Sequence, residues 1–458
     1  NELNARGSSQ ADQRLREEGK KIVQPLMLAE FEAEGLVYGA VTAAKIRKRL
    51  PNGAAYAEFV KLLKPDETGN RPDSYHYALV ALLPNKDSVE VHDLGPANEI
   101  EVLTSRYGSE MNSVRMTGRA PDIERVKRLG QELYTRLLAP VFKAGGLYPA
   151  LVICPDGELN LLPFEAFVDN TGNFLISKMD IRYVASAREL LNRRPRVATD
   201  LTLAVFADPD YDSIAEQAPA DSSAAANTKK RAQLRSATGR ALRDEKFDAL
   251  PETRIEAQRV EAAIKKVFGG NTKVLLGRDA NVKNFVGVKS PRFLHVATHG
   301  FFLQAPPTVL AKKGDVELQY VDPDEYSGLV LAGANQGLKT GSEAGIVLSN
   351  RLSAMDLDDT EMVVLSACST GVGVVSTGEG VFGLKRAIQI AGARNSITSL
   401  WNVPTDETAT LMSNFYEYFA SEKDAAIALR NAKLSLMKTQ PNPFFWAPFV
   451  LSGTSATP

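Results

Sequence analysis

The chain has 458 residues, which is more than one hydrophobic core usually holds, so two or three domains are expected. Its composition, 44% hydrophobic and 24% charged, is typical of a globular protein and argues against disorder. The 54 basic and 55 acidic residues leave a net charge of −1, so no overall field attracts the chain to nucleic acid or to an acidic membrane.

The cysteine content and the start of the chain indicate its setting. Only Cys154 and Cys368 are present, which does not favour a disulfide framework and favours a reduced, cytoplasmic location. We find neither an apolar run long enough to span a bilayer nor a basic and apolar leader, so a soluble protein is expected. Because the sequence begins with Asn1 and not with methionine, we expect that a preceding piece was removed or lies outside the numbering.

The first 200 residues are predicted to form helices, then a hairpin, then further α/β units. Apolar and charged residues at helical spacing predict one or two helices between about 10 and 50. Alternating runs at 75–82 and 89–94, separated by a polar turn with proline, predict a β-hairpin. The remaining predicted elements are amphipathic helices at about 97–137 and strands at 151–154 and 181–184.

Strands and helices alternate in the second half of the chain. A helix is predicted at 251–268, another near 380–391, and a single last helix from about 407 to 436. Strands are predicted at 201–208, 273–277 and 395–401. This alternation favours a mostly parallel sheet with helices on both faces.

A stretch of different composition, residues 213–246, interrupts this pattern. Alanine, serine, asparagine and basic residues dominate, and large apolar side chains are scarce. Such a segment buries too little surface to offset its own ordering entropy, so we predict an exposed insertion. It is a candidate processing or regulatory loop, and a merely solvated loop is the alternative.

Two apolar runs, 293–300 and 362–371, each bring a reactive side chain to the end of a predicted strand. The first places His299 before Gly300, and the second ends at Cys368 before a turn that contains glycine. In a parallel sheet the carboxyl ends of neighbouring strands meet at one edge, so these residues can meet although 368 − 299 = 69 positions separate them. The pattern predicts a cysteine nucleophile with a histidine base.

The chemistry of such a pair follows from the two groups. An imidazole within hydrogen-bond reach takes the proton of a thiol and stabilises the thiolate. Glycine at position 300 allows a substrate carbonyl to approach the backbone closely. The N–H groups of Gly300 and Cys368 are therefore candidate donors to the oxyanion of a tetrahedral intermediate.

Each candidate has a structural alternative. A cysteine at the end of a buried strand is often only a small core residue. His295 is predicted on the same strand face as His299, so one of the two is a candidate core histidine, and the one before Gly300 is the better catalyst. Cys154 lies before a proline at a turn, with no histidine motif nearby, and is interpreted as structural.

Nucleotide binding and metal binding are the other classes of site that the sequence patterns raise. Gly371 and Gly373 follow a strand, but Ser376 stands where the dinucleotide pattern has its third glycine. Four histidines and two cysteines without paired spacing argue against a metal site. We therefore expect no cofactor and no metal, and a nucleotide-binding module remains a third possibility.

The motifs together resemble a known family, the CHAT domain, a caspase-like peptidase domain often attached to tetratricopeptide repeats. The resemblance extends from about residue 40 to the end. It implies a caspase-like three-layer αβα sandwich with a mostly parallel sheet, with His299 as general base and acid and Cys368 as the nucleophile. The stretches that carry it are 155–157, 162–165, 294–300, 327–333, 364–371, 378–380, 391–394, 399–401 and 445–449.

The resemblance also implies a domain organisation. Residues 1–45 are expected to be a helical segment, a candidate remnant of a repeat array, and residues 46–200 a degenerate caspase-like or accessory α/β subdomain. Residues 201–455 would be the catalytic domain that carries the insertion.

Specificity and partners follow from the same family. In relatives such as separase, an acidic residue holds an arginine of the substrate, and Asp406 and Asp208 are the candidates here. A carboxylate in a dry pocket would favour a basic residue before the scissile bond. The expected function is a cysteine endopeptidase acting on a protein substrate, with a protein activator or repeat-domain partner possible. The alternative is a catalytically silent caspase-like scaffold.

Overall fold

The computed structural model describes 41–64, 74–142, 148–191, 199–214, 242, 245–303, 309–312, 315–318, 326–340, 344–366, 368–369, 379–401 and 403–453. The chain divides into two compact units, Asn1–Ile46 and Arg47–Pro458. A short helix, α1 (Ala43–Arg47), lies at their boundary, and the rest of the helical segment predicted at 1–45 falls outside the described residues.

One large sheet of eleven strands contains most of the β-structure that is described. From one edge to the other, its strands are β3 (Val89–Pro96), β2 (Ser74–Leu82), β1 (Ala55–Lys64), β4 (Ala150–Cys154), β5 (Asp180–Tyr183), β17 (Phe449–Gly453), β16 (Asn395–Ser399), β14 (Met362–Leu365), β8 (Phe293–Ala297), β6 (Leu201–Pro209) and β7 (Asn271–Gly277). Neighbouring strands are parallel except in the β1–β2–β3 meander and between β16 and β17. The predicted hairpin and the mostly parallel sheet are confirmed.

The strands of the two halves of the chain join in this sheet. Strands β1 to β5 come from residues 55–183 and the other six from residues 201–453. The join is the pairing of β5 with β17, where Tyr183 lies opposite Ser452. The segments before and after the predicted domain boundary at residue 200 therefore form the two halves of one continuous sheet.

A smaller sheet of four strands contains the ends of both apolar runs singled out in the sequence. In order, its strands are β13 (Ile346–Leu348), β12 (Ser327–Val330), β9 (His299–Phe302) and β15 (Cys368–Ser369). Two further strands, β10 (Val309–Lys312) and β11 (Asp315–Leu318), pair with each other. The prediction of one strand for each run was wrong, because each run forms one strand in the large sheet and another in the small one.

Helices cover both faces of the large sheet. Residues of β8 alternate between two cores, with Phe293 and Ala297 in one and Leu294 and Val296 in the other. The first core is completed by α2 (Ala97–Asn112), α4 (Ile123–Leu137), α6 (Glu252–Val267), α11 (Thr405–Glu422) and α12 (Ala425–Met437). The second core includes residues of α7 (Val282–Val286), α9 (Ser349–Ser353) and α10 (Glu379–Ile390). The predicted three-layer α/β sandwich is thus confirmed. The remaining short helices are α3 (Val114–Thr117), α5 (Ala139–Phe142), α8 (Ala334–Lys339) and α13 (Pro443–Trp446).

The predicted last helix at 407–436 is two helices, α11 and α12. Lys423 ends α11 in the left-handed conformation, with φ of 57°. Asp424 then begins α12, because its side chain accepts hydrogen bonds from the N–H groups of Ala426 and Ile427. Because neither glycine nor proline marks this break and the helical spacing of apolar residues continues through it, the sequence pattern predicted a single helix.

Candidate active site

His299 and Cys368 are brought together by strand pairing. In the large sheet, Val296 of β8 pairs with Leu365 of the parallel strand β14, an offset of 365 − 296 = 69 residues. In the small sheet, His299 of β9 pairs with Cys368 of β15, and 368 − 299 is again 69. The two strands therefore leave one sheet and enter the next in the same register. Neighbouring strands lie about 4.8 Å apart, so the backbones of the two residues are adjacent.

Hydrogen bonds hold the break between β8 and β9 in place. The Thr298 hydroxyl donates to the carbonyl of Val330, so its oxygen accepts from the hydroxyl of Tyr211 at 2.9 Å. The Tyr211 oxygen in turn accepts from the backbone N–H of His299 at 3.4 Å. On the neighbouring strand, the N–H of Ser366 donates to the carbonyl of Val296 at 2.8 Å. The polar groups around this break are thus satisfied although they are buried.

The hydrogen bonding of His299 defines which ring nitrogen carries the proton. Nε2 lies 2.8 Å from the backbone carbonyl oxygen of Asp248. A carbonyl can only accept, so Nε2 is the protonated nitrogen of the neutral ring. Nδ1 is buried and has no hydrogen-bond partner among the described residues. The imidazole therefore presents an unprotonated nitrogen that is available as a base.

The surroundings of His299 favour the neutral ring. The residue is only 5% exposed, and the rings of Tyr211 and Phe247 lie 5.2 and 5.6 Å from the imidazole centroid. Burial lowers the pKa of His299 below its usual range, and the carbonyl and the charge of Asp248 offset part of this effect. A neutral imidazole at neutral pH is the form that can accept a proton from a thiol.

Tyr211, Phe247 and Asp248 were not among the residues predicted for the site. They stand on either side of the predicted insertion at 213–246, of which residues 215–241, 243 and 244 lie outside the described part. At the predicted ends of the insertion, the side chains of Ser213 and Leu242 are buried and not exposed. The return of an aromatic residue at 247 after a polar stretch was the available signal.

His295 lies on a different strand from His299. It lies on β8 and His299 on β9, so the prediction that they share one strand face was wrong. His295 is fully buried, and its Nε2 lies 2.8 Å from a carboxylate oxygen of Glu256 on α6. The other carboxylate oxygen accepts from the hydroxyl of Ser366 at 3.2 Å, and the Tyr416 hydroxyl lies 3.4 Å from Nδ1. His295 is a hydrogen-bonded core histidine on β8, next to β14, the strand that leads to Cys368.

Cys154 is buried on β4, and none of the described hydrogen bonds joins it to a histidine. Desolvation, with the charges of Glu58 and Glu189, raises the pKa of its thiol to about 12. A thiol in this setting forms little thiolate at neutral pH, which fits the structural interpretation.

The two acidic specificity candidates occupy different environments. Asp208 is the second-to-last residue of β6, has a φ of 45°, is 16% exposed, and lies 2.7 Å from a guanidinium nitrogen of Arg254. Asp406 lies in the first turn of α11, is 81% exposed, and lies 3.6 Å from Arg259. Only Asp208 is in a largely dry environment, and it already has a cationic partner.

Other predicted features lie partly outside the described residues. Gly300 lies on β9, paired with Leu329 and with Ser369. The glycine turn at 371–376, considered for nucleotide binding, is not described. Within the described ranges, no group of three or more His, Cys, Asp or Glu residues is arranged to hold a metal ion. No helix in the same ranges is both long and apolar enough to cross a membrane.

Several solved structures contain chains with low similarity to this one. The separase of Saccharomyces cerevisiae, in complex with securin, has a TM-score of 0.45 and 8% identity, over 90% of this chain and 30% of that chain. This chain therefore spans less than a third of the separase chain. The Arg-specific cysteine proteinase gingipain R has a TM-score of 0.37 and 9% identity, over 78% of this chain and 74% of that chain. The Porphyromonas gingivalis RgpB pro- and mature-domain complex has the same TM-score and identity, over 78% and 76%.

Sequence comparison gives a more specific result. None of the curated proteins matches the chain. The family model of the CHAT domain matches residues 127–454, starting later than the residue 40 expected from the motifs. Since this match spans well over half of the sequence and includes His299 and Cys368, the chain belongs to the CHAT domain family.

Proposed function

We propose that this protein is a cysteine endopeptidase that cleaves a protein substrate through a dyad of His299 and Cys368. The observation that carries the proposal is the pairing of these residues on neighbouring strands, together with the unprotonated Nδ1 of His299, which has no hydrogen-bond partner among the described residues. Membership of the CHAT domain family supports it.

The proposed reaction uses the imidazole twice. Nδ1 of His299 accepts the thiol proton of Cys368, and the thiolate attacks the scissile carbonyl carbon to form a tetrahedral intermediate. The protonated imidazole then gives this proton to the leaving amine as the C–N bond breaks, which leaves a thioester. Water, deprotonated by the same imidazole, hydrolyses the thioester and restores the thiol. No oxidant or cofactor is required.

The oxyanion is proposed to be stabilised by the backbone N–H groups of Gly300 and Cys368. Gly300 follows the base directly, and its strand is paired with the one on which Cys368 lies. Donors of this kind contribute about 3 kcal/mol each to the stability of the transition state.

Specificity and regulation are further parts of the proposal. Asp208 and Asp406 are the candidates for holding a basic residue of the substrate, and burial favours Asp208 because a charge-assisted pair is stronger where water is excluded. Regulation by a protein partner or through the insertion is supported by the contacts that Tyr211 and Asp248 make to His299 from either side of the insertion.

A labelled peptide with a thiol-reactive group tests the proposal. Pools that differ in the residue before the reactive group are incubated with the parent protein and with Cys368→Ala, His299→Ala and Cys154→Ala. We expect labelling of the parent and of Cys154→Ala, none of Cys368→Ala, and slow labelling of His299→Ala. Cys154→Ala is the matched control, because it removes the buried thiol, the second of the two cysteines in the chain.

The same experiment separates the alternatives. If no peptide pool labels Cys368 of the folded parent protein, the endopeptidase proposal is overturned and the catalytically silent scaffold is favoured. A nucleotide-binding module would be indicated instead by thermal stabilisation with a nucleotide, which we do not expect.

A further inference from the structure

Asn335 makes an unusual set of hydrogen bonds near His299. It lies on the short helix α8, and its side chain is only 3% exposed. Its Oδ1 accepts from the backbone N–H of Phe247 at 2.9 Å, and its Nδ2 donates to the carbonyl of the same residue at 3.0 Å. One amide side chain therefore holds both polar groups of one backbone residue.

This arrangement restricts the next residue along the chain. The carbonyl of Phe247 belongs to the peptide plane that leads into Asp248, so fixing it leaves only the dihedral angles of Asp248 to aim that residue's own carbonyl. That carbonyl is the acceptor for Nε2 of His299, and the Phe247 ring packs against the imidazole. Asn335 therefore affects the orientation of the ring indirectly: it fixes Phe247, and Phe247 restricts the neighbouring Asp248, whose carbonyl binds the ring.

The same amide also reaches the other side of the predicted insertion. Nδ2 of Asn335 donates to a carboxylate oxygen of Asp212 at 3.1 Å, and the backbone N–H of Asn335 donates to the carbonyl of Tyr211 at 2.9 Å. Tyr211 packs on the imidazole from its own side and accepts from the N–H of His299. Both segments that contact His299 are thus tied to Asn335, which itself makes no described contact with the ring.

We propose that Asn335 is the positioning residue of the His299 imidazole: it clamps the two chain segments that flank the insertion, fixes the carbonyl of Asp248 and so keeps the proton on Nε2 and leaves Nδ1 free. The consequence for catalysis rests on the proposed function of His299. The orientation of the ring does not, and it can be measured in an inactive protein.

The test uses the full chain with Cys368→Ala and ¹⁵N-labelled histidine. The chain has four histidines, so their ring signals can be assigned by single replacements. In the parent we expect His299 to be the Nε2–H tautomer. In Asn335→Ala we expect its two nitrogen signals to move towards the average of both tautomers. Asn335→Gln retains both the donor and the acceptor of the amide on a longer side chain, so a smaller shift is expected, and it serves if the alanine variant does not fold.

Asn160→Ala is the matched control. Asn160 is another buried asparagine, whose Nδ2 donates to backbone carbonyls of Pro155 and Gly157 in the segment that follows β4. It should leave the His299 signals unchanged. In the active protein, Asn335→Ala should lower kcat about 10- to 100-fold with little change in KM, as expected for a displaced catalytic group.

The outcomes are distinguishable. Unchanged His299 signals in a folded Asn335 variant would overturn the positioning role. If the Asn335 variant shifts the tautomer but no peptide labels the parent protein, the positioning role would be retained and the proposed endopeptidase function rejected.

Discussion

His299 and Cys368 occupy paired positions on the neighbouring parallel strands β9 and β15. Their proximity results from a hydrogen-bond ladder that begins in the large sheet, between β8 and β14, and continues across the gap into the small sheet. The proposed base and the proposed nucleophile therefore depend on backbone pairing for their approach, and the side-chain contacts of His299 then orient the ring.

Replacement of the base should slow the nucleophile most at neutral pH. In His299→Ala we expect labelling of Cys368 and peptide cleavage to fall by about 10²- to 10⁴-fold at pH 7, because no group remains to accept the thiol proton. The difference should narrow above about pH 8.5, where a free thiol ionises without help. Rates of labelling from pH 6 to 10 measure this. His92→Ala, on β3, is the control, and equal rates for His299→Ala and the parent would exclude the dyad.

Burial of His299 should make stability depend on pH. Because its pKa is lowered in the folded protein, the unfolded chain binds more protons over the interval between the lowered value and about 6.5. The stability contributed by the neutral buried ring is therefore complete above about pH 6.5 and is lost as the pH falls through that interval. Urea unfolding of Cys368→Ala with and without His299→Gln, from pH 7.5 to 5, should show the advantage of His299 shrinking. A constant or growing advantage would contradict this.

The buried pair of Glu256 and His295 should behave as a unit. In His295→Leu we expect a loss of about 3–5 kcal/mol in unfolding free energy, because the carboxyl group of Glu256 stays buried without its imidazole partner. Adding Glu256→Leu should cost much less than it does in the parent, since the polar group that needed a partner is then gone. A double-mutant cycle by urea denaturation measures the coupling, and additive losses would show that the two side chains act independently.

A carboxylate that binds a basic substrate residue should be identifiable by its effect on specificity. For Asp208→Asn we expect the preference for arginine over glutamine before the cut to fall by at least about tenfold, and for the exposed Asp406→Asn to change it little. Asp208→Asn also breaks the pair with Arg254. Arg254→Met is therefore the control, because it breaks the same pair and retains the carboxylate. Ratios of kcat/KM for matched peptides decide between the two residues.

Local sequence patterns were sufficient for most of the fold. Strands such as β4 and β6 are runs of small and branched apolar residues, and helices such as α6 have clear periodicity. The pattern failed where backbone direction changes without a change in polarity. The kink at Thr298 leaves the apolar character of the run intact, so one strand was predicted where two sheets are involved. Lys423 and Asp424 divide two helices by conformation and capping, which hydrophobic spacing does not reveal.

The candidate site was only partly accessible to sequence reasoning. His299 and Cys368 could be named because reactive side chains stood at strand ends. The acceptor for Nε2 could not, since it is a main-chain carbonyl of Asp248 and any residue type supplies one. Asn335 is also distant in sequence from the segment it holds, 88 residues from Phe247, and hydrogen bonds over such separations depend on the assembled fold.

The constant spacing of the two strands has a consequence for how this chain can change. Loops between the elements that join β9 to β15 can lengthen, shorten or be cut without altering the pairing of Cys368 with His299, because the register of the strands sets that pairing. A single residue added between Val296 and His299, or between Leu365 and Cys368, would instead shift one partner by a full rung and turn its side chain to the opposite surface. Tolerance to insertion should therefore be high in the loops between the strands and helices of this stretch and low within those two three-residue steps.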